Sequence, residues 1–139
     1  MTENPARSIV EAFYKAYAAG DIATCATLIH DDIDWIIYGP LQVFPFTGPR
    51  RGKQAALETL AAIAKDFALE RYVPEALIVE GDRAAVLSNA AFKQLSTART
   101  ISVRLADFLR LRDGKIIELR EVFDTFDAVE QALGRWIEV

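Results

Sequence analysis

Apolar residues recur along this chain with a helical spacing in its first half and with a strand spacing in its second half. The pair Asn4-Pro5 is typical of a helix N-cap and first turn, and the helix that it predicts ends at Gly20. Asp21 then caps a second short helix over 22–29. The buried side of the first helix is indicated by three residues at helical spacing, Val10, Phe13 and Tyr17.

The middle of the chain alternates between regular elements and a long loop. A strand is predicted over 33–38, a loop rich in Pro and Gly over 39–52, and a helix rich in Ala and Leu over 53–67. After this helix the apolar period becomes two, which is the period of a strand. Short turn sequences divide this part into four predicted strands, over 69–80, 84–95, 99–112 and 115–124.

A final short helix, capped by Asp124 or Thr125, is predicted to end at Gly134. The order of elements is two helices, a strand, a helix, a four-strand meander and a helix. This order predicts an α+β fold in which helices pack on one face of a strongly curved, mostly antiparallel sheet.

Two carboxylates interrupt otherwise apolar strand faces. Alternate residues over 101–111 are apolar except Asp107, and alternate residues over 117–123 are apolar except Glu121. An ionised acid on a core-facing position costs several kcal/mol unless it is paired, neutralised or next to a polar cavity. These two acids therefore indicate a pocket.

The turn between these two strands decides whether the acids meet. A two-residue turn at Asp113-Gly114 would place Asp107 opposite Arg120, with an apolar face beside a charged one. A three-residue loop, Arg112-Asp113-Gly114, brings both apolar faces together. We favour that register, in which Asp107 lies opposite Leu119, Leu105 lies opposite Glu121, and the two acids are diagonal neighbours.

A close pair of acids has three interpretations. The acids pair with an arginine, Arg50 or Arg51, and only hold structure; they orient a bound ligand; or they transfer protons as acid and base. A close carboxylate pair in an apolar cavity resists double ionisation, so one member stays protonated near neutral pH. One donor and one acceptor are the minimum for proton transfer on a bound molecule.

Composition restricts the class of protein. A chain of 139 residues predicts one domain, 1–139, and a net charge of −4 argues against binding to nucleic acid or to an anionic membrane. No apolar run is long enough to span a bilayer and no secretory signal is visible, so we expect a cytoplasmic protein. One histidine, His30, and one cysteine, Cys25, do not make a transition-metal site, and we expect neither a metal nor another cofactor.

Four segments together resemble the SnoaL-like branch of the nuclear transport factor 2-like superfamily, across nearly the whole chain: AAGDI, HDDIDWIIYGP, PFTGPRRGKQA and RLRDGKIIELREVFD. The resemblance implies a cone-shaped fold with a deep pocket between sheet and helices, often in a homodimer. The superfamily includes ketosteroid isomerases, limonene epoxide hydrolases, polyketide cyclases, dehydratases and non-enzymatic binding proteins.

The resemblance to ketosteroid isomerase extends to only one of its functional positions. Its tyrosine donor on the first helix matches Phe13, and its general base on the first strand matches Ile37. Its second acid has a counterpart in Asp107 if the turn is one residue shorter. The resemblance therefore does not imply a steroid isomerase of the known kind.

The resemblance to limonene epoxide hydrolase also extends to only one acid of its site. Its last-strand aspartate matches Glu121, whereas its arginine and second aspartate fall near Ser88 and Ala90. Its water-holding tyrosine and asparagine fall at Trp35 and Ile37. The chain thus keeps one acid of each enzyme and the complete site of neither.

These observations define the expected site and function. Asp107 and Glu121 are the predicted catalytic residues. The function is either a cofactor-independent acid/base enzyme acting on a small, largely apolar metabolite, or a non-catalytic binding protein or interaction dimer. The outer sheet face, with Phe108 and Val122 among charged residues, is the expected homodimer surface. The predicted substrate-binding residues are Phe13, Tyr17, Trp35, Ile37, Phe46, Ser88, Ala90, Leu105 and Phe123.

Overall fold

The computed structural model describes residues 4–139, and its helices follow the predicted pattern closely. Side-chain oxygens of Asn4, Asp21 and Asp124 accept backbone N–H groups at three helix starts, as expected for N-caps. Gly134, with φ +70°, closes the last helix. The four helices are α1 (Pro5–Ala18), α2 (Ile22–Leu28), α3 (Lys53–Asp66) and α4 (Thr125–Leu133).

Six strands form one mixed sheet that is curled but not closed. They are β1 (Ile29–Ile37), β2 (Gly48–Arg51), β3 (Phe67–Glu80), β4 (Arg83–Gln94), β5 (Thr100–Arg112) and β6 (Lys115–Phe123), in the order β2-β1-β6-β5-β4-β3. β3 to β6 form the antiparallel meander, and β1 joins it by pairing in parallel with β6. The predicted α+β fold with a mostly antiparallel sheet is confirmed.

Two boundaries near the first strand differ from the prediction. β1 begins at Ile29, not at residue 33, so His30 lies in a strand. The short edge strand β2 lies within the segment predicted as loop, where it pairs with β1 so that Arg50 is opposite Trp35. The sequence Gly-Pro-Arg-Arg has no apolar alternation, and its strand conformation follows from this pairing, not from local propensity.

The turn between β5 and β6 also differs from the prediction. Asp113 and Gly114, with φ of +53° and +74°, form a two-residue turn that leaves Arg112 opposite Lys115. Positive φ at both positions is the mark of a type I′ hairpin turn. The predicted three-residue loop is therefore wrong.

A β-bulge immediately after this turn corrects the register. Leu111 is opposite Ile116, whereas Arg110 is opposite Glu118, so Ile117 is the extra residue on β6. Both Ile116 and Ile117 are buried, although strict alternation would place Ile116 on the outer face. The bulge brings the apolar faces of β5 and β6 together. The prediction had attributed this match to a three-residue turn.

The helices cover one face of the sheet. α1 packs on β3 and β4, α3 packs on β1, β2 and β3, and α4 packs on β5. The main core lies between these layers, and a second cluster around Phe44, Phe67 and Ile101 lies beneath α4. Within residues 4–139, no helix combines the length and apolar character needed to cross a membrane.

Candidate active site

A cavity lies between the concave face of the sheet and the helices. It encloses about 750 Å³ of atom-free space, including its open mouth. Half of the described residues that line it are aromatic, and two are acids, one from β5 and one from β6. The lining residues are Phe13, Tyr14, Tyr17, Trp35, Ile37, Phe44, Phe46, Leu60, Ile63, Phe67, Tyr72, Phe92, Ile101, Val103, Leu105, Asp107, Leu119, Glu121, Phe123 and Ala128.

The two acids lie directly opposite each other on neighbouring strands. Asp107 of β5 pairs with Glu121 of β6, which is closer than the diagonal placement predicted from the sequence. Asp107 is buried, and Glu121 is partly buried at the cavity wall. The expectation that the acids face Leu119 and Leu105 is wrong, because the bulge shifts β6 differently from a three-residue turn.

A tyrosine from α1 completes the polar group. The Tyr14 hydroxyl donates to Asp107 Oδ2 at 2.6 Å, in a fully buried position. The Tyr14 ring is held edge-to-face by Phe13 and stacks on Tyr72. These aromatic contacts fix the hydroxyl on the carboxylate, so Asp107 keeps a donor although it is buried.

Burial and mutual repulsion set the protonation of the pair. Burial raises the pKa of Asp107, while hydrogen bonds from Glu121 and Tyr14 favour its ionised form and oppose this rise. Burial and the charge of Asp107 raise the pKa of Glu121 well above its ordinary value. Because the charge of Asp107 adds to the effect of burial at Glu121, the pair resists double ionisation.

Sequence reasoning did not place Tyr14 in this group. Among the tyrosines it favoured Tyr17, which also lines the cavity and packs against the ring of Tyr72. Tyr38 is exposed. The available signal was helical spacing, because Tyr14 lies one turn after Val10 and shares the buried face of α1.

The structure brings most of the predicted binding residues together. Of the nine, seven line the cavity: Phe13, Tyr17, Trp35, Ile37, Phe46, Leu105 and Phe123. Ser88 and Ala90 are fully buried on β4 and are not among the lining residues. Among residues 4–139, the Trp35 Nε1 atom is buried without a hydrogen-bond partner.

The arginines near the cavity are engaged elsewhere. Arg51 lies 3.6 Å from Asp34, and Arg50 donates to the carbonyls of Pro49 and Pro45. Within residues 4–139, no Lys, Arg or His lines the cavity, and no cluster of three His, Cys, Asp or Glu side chains suits a metal ion. Within the described residues, the acid pair is therefore held by Tyr14 and not by a cation.

The chain matches a known protein family. The family model for the SnoaL-like domain matches residues 10–119, which is most of the chain. The chain belongs to the SnoaL-like domain family. No match was found among curated protein sequences.

Solved structures with the same fold support membership of the SnoaL-like family. A candidate isomerase from Rhodopseudomonas palustris is 42% identical, with a TM-score of 0.84, over 97% of this chain and 100% of that chain. An NTF2-like protein from Burkholderia xenovorans is 28% identical, with a TM-score of 0.79, over 95% of this chain and 98% of that chain. An LEH-like epoxide hydrolase from M. tuberculosis is 19% identical, with a TM-score of 0.76, over 94% and 90%, a likeness of fold alone.

Proposed function

We propose that this SnoaL-like protein is a cofactor-independent acid/base enzyme that moves a proton within a small, largely apolar metabolite. The observation that carries the proposal is the Asp107–Glu121 pair, two carboxyl groups that lie opposite each other at the wall of an aromatic cavity. Asp107 is the base and Glu121 the acid. Both line the space that a ligand would occupy.

The pair suits a reaction in which one proton leaves the substrate and another is returned. Asp107 accepts a proton from the substrate, and Glu121 donates its own, so the pair ends with the same number of protons. Tyr14 keeps its hydrogen bond to Asp107 and holds the carboxylate in place. Isomerisation, cyclisation, dehydration and epoxide opening all use such a step.

The named relatives agree with this class of reaction. The Rhodopseudomonas palustris protein is named as a candidate isomerase, and the M. tuberculosis protein as an epoxide hydrolase. Both activities proceed through proton transfer to or from a carbon or oxygen atom. The relatives support the class, and the cavity of this chain determines its own substrate.

A second candidate function is ligand binding without chemistry. It is favoured by the strongly aromatic lining and by the apolar residues Phe13 and Ile37, where the ketosteroid isomerase resemblance expects catalytic groups. In this case the acids only orient the ligand, and turnover is absent.

Hydrogen exchange on a bound ketone separates these two functions. We expect the protein to accelerate exchange of the α-protons of 1-tetralone in D₂O, measured by NMR, and Asp107→Asn to reduce that rate by about 10²-fold or more. Glu118→Gln, on the same strand as Glu121 but outside the cavity, is the matched control and should exchange at the wild-type rate. Binding of 1-tetralone without accelerated exchange would favour the binding protein.

We also propose that the outer sheet face joins two copies of the chain. An apolar row crosses four neighbouring strands at matched register, through Ala76, Leu87, Ala106 and Val122. Phe108 lies in the adjacent row and is 55% exposed. Charged pairs such as Arg104–Glu75 border the row, which is the usual arrangement of an interface core and its rim.

A further inference from the structure

We propose that the indole N–H of Trp35 is the donor that anchors the ligand, so that the cavity takes a neutral, mostly apolar molecule with one hydrogen-bond-accepting oxygen. This inference rests on the proposed function only in taking the cavity as the ligand site. It assigns a donor role to Trp35, which already lines that site, and restricts the chemical class of its ligand.

The state of the Trp35 side chain is the first observation. Trp35 lies on β1 between the inward-facing residues Ile33 and Ile37, lines the cavity and is only 3% exposed. Its Nε1 has no hydrogen-bond partner among the described residues. An indole N–H can only donate, and a buried donor without an acceptor costs about 1–3 kcal/mol. An oxygen of a bound ligand would remove that cost.

The position of Trp35 relative to the acids is the second observation. Ile37 of β1 pairs with Glu121 of the parallel strand β6, and Trp35 pairs with Leu119. Trp35 and Glu121 are therefore on the same face of neighbouring strands, displaced by one pleat. A ligand whose oxygen accepts from Trp35 presents its neighbouring carbon atoms to the acid pair.

Charge at the cavity wall is the third observation. Two acids line the cavity, and no Lys, Arg or His among residues 4–139 lines it to balance a negative charge. A carboxylate or phosphate ligand would therefore meet repulsion without a counter-charge. A cationic ligand would be attracted to the acids and aromatic rings but would leave the Trp35 donor unpaired. A neutral ligand with an acceptor oxygen would accept a hydrogen bond from Trp35 and would not be repelled by the acids.

Two bicyclic compounds that differ only in a carbonyl oxygen test the inference. Tetralin and 1-tetralone share their carbon skeleton, and the chain has only two tryptophans, Trp35 in the cavity and the exposed Trp136. In ¹H–¹⁵N spectra, with the two indole signals assigned through Trp136→Phe, we expect 1-tetralone to move the Trp35 signal downfield. Tetralin should not produce that downfield shift, and the Trp136 signal should stay in place.

Affinity gives the second readout. By calorimetry, the wild-type protein should bind 1-tetralone about two- to tenfold more tightly than tetralin, the range expected for one added hydrogen bond. In Trp35→Phe this preference should disappear, whereas the affinity for tetralin should be retained. Circular dichroism and thermal unfolding of the variant confirm that it is folded.

The outcomes separate the inference from the proposed function. Equal affinity for the two compounds in the wild-type protein, or an unchanged preference in Trp35→Phe, would overturn the role of Trp35 even if α-proton exchange is catalysed. Tighter binding of 2-aminotetralin, which is cationic at pH 7, would overturn the neutral ligand class. Binding of 1-tetralone through Trp35 without exchange would support the inference and reject the enzyme. Failure of every compound to bind would reject both.

Discussion

The Tyr14 hydroxyl is the hydrogen-bond donor that favours the ionised form of Asp107 in an apolar cavity. It reaches Asp107 Oδ2 from α1, and the flanking rings of Phe13 and Tyr72 restrict its movement. Burial and the charge of Asp107 raise the pKa of Tyr14 well above its ordinary value, so it remains a donor throughout the physiological range. Tyr14 is therefore a positioning residue for Asp107, the proposed base.

Removal of this hydroxyl tests that role. In Tyr14→Phe the Asp107 carboxylate loses a donor while its burial is unchanged, so its pKa should rise further and the pH dependence of exchange should move to higher pH. The free energy of unfolding near pH 7 should fall by about 1–2 kcal/mol. Carboxyl ¹³C NMR titration and urea denaturation measure the two effects. Tyr17→Phe, which removes a cavity hydroxyl not bonded to Asp107, should leave the titration of Asp107 nearly unchanged.

The raised pKa values of the acid pair should make the free energy of unfolding fall as the pH rises. Burial raises the pKa of both acids in the folded protein above 3.8 for Asp107 and 4.5 for Glu121, so the folded state binds more protons than the unfolded chain. This contribution to stability is fully present at pH values below the pKa values of the unfolded chain. It is lost as the pH rises through the raised pKa values of the folded protein.

Glu121→Gln isolates this effect. The amide mimics the protonated acid and can donate to Asp107 at every pH, so the variant should lose much less stability than the wild-type protein between about pH 5 and 8. Urea denaturation across this range measures the difference between the two proteins. The exposed Glu138→Gln should follow the wild-type curve. If Glu121→Gln is destabilised equally at all pH values, the proton is not held by this pair.

The sequence could reveal the acids of the site but not their partner. An acid on an alternating apolar strand face is visible without coordinates, and this indicated both Asp107 and Glu121. The contact of Tyr14 with Asp107 joins residues 93 positions apart and depends on where α1 crosses the sheet. Likewise, an unpaired Trp35 N–H is a property of packing, which periodicity does not express.

At the scale of the element, the β5–β6 hairpin decides whether the site exists. The matching of apolar faces correctly predicted that the register of β6 against β5 shifts by one residue. The sequence does not specify whether a turn or a bulge supplies this shift. The structure uses the Asp-Gly turn that local chemistry favours and places the extra residue, Ile117, on β6. A run of two isoleucines was compatible with either solution.

The turn itself gives an element-scale prediction. Gly114 has φ +74° and open space where a Cβ would lie, so Gly114→Ala adds strain without a clash. We expect a loss of about 1–2 kcal/mol in the free energy of unfolding. Asp82→Ala, in the exposed turn between β3 and β4, should change that free energy much less. Denaturation of both variants checks this, and equal losses would contradict the turn geometry as the cause.

At the scale of the molecule, the fold was predictable because each local signal agreed with the next. Caps, a change of period and turn residues gave the order of elements, and that order left one α+β arrangement. β2 was missed, because an edge strand of four residues depends on its neighbour β1 more than on its own sequence. The volume of the cavity and the contacts across it depend on the packing of all layers together.

At the scale of the molecule, the outer sheet face is also predicted to join two copies of the chain. The row through Leu87 and Val122, with Phe108 beside it, exposes large apolar side chains, whereas the concave face is covered by helices. A stable dimer buries about 800 Å² per partner, and a face spanning four strands supplies an area of that order. Phe108→Asp would place a charge at the centre of this interface and should convert a dimer to a monomer in sedimentation velocity. Trp136→Ser, which removes an exposed apolar side chain outside the sheet, should stay dimeric; a wild-type protein that is monomeric at about 100 μM would contradict the proposal.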